Sequence, residues 1–133
     1  MSLKAGEIVM PSSPIILVNL SIMELADDRD FEGSKWRKFF VTNEQGHLLG
    51  VVDVNDLEAV SKLRWSTTSL GDVMQPVDPA TIVQENQSLL VLSDKILLVQ
   101  QQQLPYLIVV SDNGVLMGLL DVSLIISLLR KNN

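Results

Sequence analysis

The chain has 133 residues and a formal net charge of −6. Its only short basic run is Ser34–Lys38, so the clustered Lys and Arg that a nucleic-acid polymer demands are missing. The absence of cysteine excludes disulfides, zinc fingers and thiol catalysis, and a single histidine, His47, makes zinc sites and His-based triads poor fits. The apolar content of 47% predicts a folded domain with a core of Leu, Ile and Val.

Along the chain, Ile15–Val18 reads as a short strand, and Leu20–Asp28 as a helix through the spacing of Leu20, Met23 and Ala26. The acid-rich Ala26–Gly33 lacks the ligand spacing of a calcium loop and reads as a solvated helix end. Trp36, inside the basic run, is expected to cover apolar surface, and His47 to face water from a strand. "KFFVT" and "HLLGVV" flank "NEQG" as a hairpin, with Gly46 supplying positive φ. A helix then starts at Asp53, in "DVNDLEAVSKL".

The order repeats. Thr81–Val83 is a strand, and Ser88–Gln103 a longer helix ending in an exposed run of four glutamines. "YLIVV" and "VLMGLL" flank "SDNG", and a helix starts at Asp121. Residues 41–54 and 109–122 match at an offset of 68, with six of fourteen positions identical, including Gly50/Gly118 and Asp53/Asp121. "GEIVMPSSP" near the start resembles "GDVMQPVDP" at Gly71–Pro79. The unit is β-α-β-β-α, present twice, over residues 6–64 and 69–130, and the fold class is α/β (α+β). A unit of about sixty residues buries only about 60% of its unfolded surface and is marginal alone. The last helix, apolar nearly all round, calls for cover on more than one face. The repeats are therefore expected to pack together, by a pseudo-twofold.

"LGDVMQP" and "LPYLIVVSDNGVLMGLLDVSLI" resemble a CBS domain, and "FFVTNEQGHLLGVVDVNDL" matches the same hairpin and helix start. Nearly the whole chain resembles a tandem CBS pair, or Bateman module. "ELADD", "FFVTNEQGHLLGVV" and the tryptophan ahead of "LGDVMQP" are similar to the CBS region of cyanobacterial site-2-type membrane metalloproteases of the M50 family. The resemblance implies a regulatory, dimerising module of an attached enzyme, on the cytoplasmic side, with the His-Glu-x-x-His chemistry elsewhere. This segment carries no such motif, no nucleophile–base pair and no phosphate loop, and is not expected to be an enzyme. The opening Met-Ser-Leu reads as a vector remnant. No signal peptide or bilayer-spanning run is read, so the segment itself is expected not to touch a membrane.

CBS pairs commonly hold adenosine nucleotides, so AMP, ADP, ATP or adenosine is the implied ligand. The family pattern places Ser or Thr near the phosphates at the last helix start, and Asp three residues on at the ribose. Those positions are Asp53 and Asp56 in the first repeat, and Asp121 and Leu124 in the second. Leu124 accepts no hydrogen bond, so the second repeat has no ribose clamp. Asp53 places a negative charge where phosphates would sit. Asp53 and Asp121 also read as helix caps, and Asp56 as a first-turn acid. Pro105 and Tyr106 begin the strand that lines the family cleft. Two functions stand side by side: a nucleotide-responsive regulatory module, and a ligand-free assembly module. No metal site is expected.

Overall fold

A computed structural model describes residues 3–12, 14–28, 31, 33 and 36–131. Arg29, Asp30 and Glu32 of the acid-rich stretch, and Ser34 and Lys35 of the basic run, lie outside the described residues.

The elements follow the β-α-β-β-α order twice. They are β1 (Ile15–Leu17), α1 (Ile22–Asp28), β2 (Lys38–Thr42), β3 (Leu48–Asp53) and α2 (Val54–Glu58). A short α3 (Leu70–Val73) follows, and then β4 (Ile82–Gln84), α4 (Ser93–Gln101), β5 (Tyr106–Val110), β6 (Leu116–Asp121) and α5 (Val122–Lys131). Two three-stranded sheets result, ordered β1-β2-β3 and β4-β5-β6. In each, the first strand pairs parallel to the second, and the second antiparallel to the third.

The two hairpins are built alike. Gly46 and Gly114 take φ of 85° and 84°, which a side chain would strain. Asn43 Oδ1 accepts from the backbone N–H groups of Gln45 and His47, and Ser111 Oγ from those of Asn113 and Val115. Both ladders slip register at the same place, between Val41 and Thr42 and between Val109 and Val110.

The chain divides into two compact units, and each holds one sheet. The first comprises 13–77, and the second 1–12 with 78–133. The first unit's core gathers Ile16, Ile22, Leu25, Phe39, Val52, Leu57 and Leu70, with Leu20, Met23 and Ala26 at its margin. Trp65 closes it, tilted against Phe31 at 5.5 Å, its indole N–H donating to the Val60 carbonyl at 2.9 Å. The second unit's core gathers Ala5, Val83, Leu89, Leu92, Ile96, Leu107, Leu120 and Ile125.

Repeat and compact unit are different stretches of chain. In sequence the repeats run 6–64 and 69–130. In space the leading segment of each repeat packs on the other repeat's hairpin. Met10 and Leu119 exchange both backbone hydrogen bonds at 2.8 Å, and Gln75 and Val51 do the same at 2.8 and 2.9 Å. The glycines of the matched "L-x-G" explain how the backbones come so near. A Cβ on Gly118 would collide with the Met10 carbonyl oxygen, and one on Gly50 would stand 2.8 Å from that of Gln75.

Two helices are shorter than their sequence patterns predict. Within Ser88–Gln103 the first turn, Leu89–Val91, is 3-10, and α4 starts only after Leu92, whose φ of −97° and ψ of 2° break the α-helical path. The glutamine run does leave the helix exposed: Gln103 takes φ 60°, and Leu104 N–H reaches back to the Val99 carbonyl at 2.8 Å, ending the helix as a glycine would. The helix from Asp53 stops at Glu58, because Val60 N–H turns to the Leu57 carbonyl and the Val60 carbonyl is taken by Trp65.

Gly118→Ala is expected to cost about 3 kcal/mol, since φ there is 151° and the new methyl meets backbone. Urea unfolding of the variant beside the unaltered chain measures the loss.

Candidate functional site

The four candidate residues fall in pairs on the two units. Asp53 and Asp56 stand on the first, at the start of α2. Pro105 and Tyr106 stand on the second, at the start of β5.

Asp53 caps α2. Its backbone is extended, and its Oδ1 accepts from Asn55 N–H at 2.8 Å. Asp121 does the same for α5, accepting from Ser123 N–H at 2.8 Å and Leu124 N–H at 3.4 Å. A helix start leaves N–H groups without partners, and a carboxylate is among their best acceptors. Asp56 lies in the first turn of α2, exposed to solvent. Its counterpart Leu124 is 38% exposed, an apolar side chain at the position where the first repeat has an acid.

Sequence reasoning missed Arg37. Its Nη2 donates to Asn55 Oδ1 at 2.8 Å and lies 3.7 Å from Glu58 Oε1. Its carbonyl accepts from Val54 N–H at 2.9 Å, just as the Pro105 carbonyl accepts from Val122 N–H at 3.0 Å. A guanidinium is thereby fixed along the same short helix as Asp53 and Asp56. The one available signal was the 68-residue offset, which sets Arg37 against Pro105.

Pro105 is exposed, and Tyr106 half-buried, with its backbone opposite Asp121 across the β5–β6 ladder. Burial raises the Tyr106 phenol above its ordinary 10.0, because the phenolate would lose its hydration. His47 is half-buried, not open to water as expected. It bridges back to Asn43, with Nδ1 at 3.2 Å from the Asn43 amide nitrogen. Trp36 is 39% exposed. Among the described residues no cluster of three His, Asp or Glu side chains is placed to hold a metal ion. No helix among them is long and apolar enough to cross a membrane.

Tyr106 is the only tyrosine, so alkaline titration of phenolate absorbance reads it alone. The midpoint is expected above 10.0 in the folded chain. The unfolded chain then loses this proton first. The contribution to stability is whole below pH 10.0 and is lost as pH rises through the folded value. A midpoint at or below 10.0 contradicts the burial.

No family model matches the chain. A Synechocystis protein described as a "Putative zinc metalloprotease" is 35% identical over 126 residues, 95% of this chain. The match takes in only 32% of that protein's length. Among solved structures, a CBS domain pair/ACT domain protein of Thermotoga maritima superposes with a TM-score of 0.68 at 22% identity, covering 98% of each chain. The cytosolic domain of the Mg²⁺ channel MgtE, in complex with ATP, gives 0.69 at 19% identity over 96% of this chain and 49% of its own. The CBS domains of a transcriptional regulator of Streptococcus pneumoniae give 0.66 at 17% identity, over 94% and 98%. Two β-α-β-β-α repeats in register, capped and turned alike, meet these structures over nearly their whole length: the chain has the fold of a tandem CBS domain pair.

Proposed function

We propose that this chain is a regulatory CBS module of a longer protein, one that dimerises and adjusts an attached enzyme of the zinc metalloprotease kind. The observation that carries the reading is the match to one third of the Synechocystis protein by nearly all of this chain. A module with no nucleophile–base pair and no metal cluster among its described residues suits a non-catalytic share of such a protein. The motifs support an M50 protease of the site-2 type as the attached enzyme, with this module on the cytoplasmic side of the membrane.

Adenine nucleotide is the ligand class, by analogy with the ATP complex of the MgtE domain. Asp56 takes the ribose hydroxyls, accepting two hydrogen bonds in one plane. Asp53 repels phosphate, while Arg37, half neutralised by Glu58, offsets it only in part. Binding is therefore weak, and weaker for ATP than for AMP or adenosine. The second reading, a ligand-free assembly module, is favoured by one observation: Leu124 replaces the ribose acid in the other repeat, leaving at most one clamp.

Calorimetric titration with AMP, ADP and ATP separates the two. The regulatory reading expects heat with AMP, none with Asp56→Ala, and affinity for ATP raised several-fold by Asp53→Thr. Silence with all three nucleotides, and no thermal shift, sinks it in favour of assembly. Binding that survives Asp56→Ala removes this site from the account.

A further inference from the structure

We infer that a cavity in the first unit, where α2 ends, is a binding site for a small zwitterion of the α-amino-acid class with an apolar side chain. The nucleotide reading uses Asp53 and Asp56 at the start of α2, and the inference does not rest on it. The cavity holds about 540 Å³, within the usual range of small-molecule sites. Its wall is a turn that the core holds in place. Trp65 and Leu70 are buried. Thr68 Oγ1 donates to the Arg64 carbonyl at 2.8 Å, and the Thr68 carbonyl accepts from Ile22 N–H at 2.9 Å. The Trp65 carbonyl accepts from Met23 N–H at 3.1 Å. The backbone between Arg64 and Leu70 is thereby tied to α1.

The groups on this frame are of opposite kinds. Arg64 and Asp72 are both exposed and line the same cavity. Among the described residues no ion pair joins them, and none engages the Arg64 guanidinium. Asp72 Oδ2 accepts from Ser69 N–H at 3.1 Å, which leaves Oδ1 for a further donor. Val60 and Val73, both half-buried, give the cavity apolar surface. A simple anion would be repelled by Asp72, and a simple cation by Arg64. A ligand that carries both charges satisfies both side chains. The guanidinium takes a carboxylate through two parallel hydrogen bonds, and Asp72 takes the ammonium. The side chain of the amino acid is then left for Val60 and Val73.

Amide-resolved NMR titration of the 133-residue chain with L-leucine tests this. The amides of residues 59–73 are expected to shift, with half-saturation at about 1 mM, as suits exposed charge pairs. Glycine, with no side chain, should bind about tenfold more weakly. N-acetyl-L-leucine lacks the ammonium and L-leucinamide lacks the carboxylate, and each should bind about tenfold more weakly than L-leucine. Arg64→Gln and Asp72→Asn, checked for folding by circular dichroism, should each weaken L-leucine by a similar factor. Arg64→Gln should leave L-leucinamide unaffected, and Asp72→Asn should leave N-acetyl-L-leucine unaffected. No shift of these amides at about 20 mM L-leucine overturns the site. Equal binding of L-leucine and N-acetyl-L-leucine, or binding unchanged in both variants, overturns it as well, since an apolar patch alone would then account for the shifts.

Discussion

The close approach of backbone at Gly118 and Gly50 is the constraint on which the rest depends. A leading segment can form its paired hydrogen bonds to the hairpin only where no Cβ stands between them. The Met10 carbonyl and the Gln75 carbonyl occupy the space that a side chain at Gly118 or Gly50 would need. Through those contacts each repeat lends its first segment to the other repeat's sheet. Leu70, on the second repeat's leading segment, and Ala5, just ahead of the first repeat's, are fully buried in the two cores. A repeat too small to be stable by itself is completed by a piece of its neighbour, so neither can be removed without opening the other's core.

The same doubling leaves two helix starts that look alike and are chemically unequal. Both are capped by Asp, at equal distances to the second N–H beyond. One continues with an exposed acid and is flanked by a guanidinium; the other continues with leucine and follows a proline. The frame is present twice, and the polar groups stand at one copy.

Much of this was legible in the residues. Turn glycines, Asp caps and the alternating hairpin strands are local signals, set by the φ a glycine allows and the acceptor a helix start needs, and they stand where the spacing predicts. The exchange of leading segments was not legible. Two hairpins of the same build offer the same kind of partner to either segment, and nothing in Met10 or Gln75 itself says which is chosen. Arg37 escaped notice because its partner Asn55 is 18 residues away, and its neighbours suggested only a basic loop. The shortened α2 depends on Trp65 reaching back to Val60, a contact across a turn that periodicity does not register. Burial of Tyr106 and His47 likewise follows from packing and not from their alternation with apolar neighbours.

Amide nuclear Overhauser contacts report directly on the exchange of leading segments. Cross-strand contacts are expected from Met10 to Leu119 and from Gln75 to Val51, with all four amides slow to exchange. Contacts from Met10 to Val51, or from Gln75 to Leu119, would show each repeat closing on its own hairpin and would contradict it.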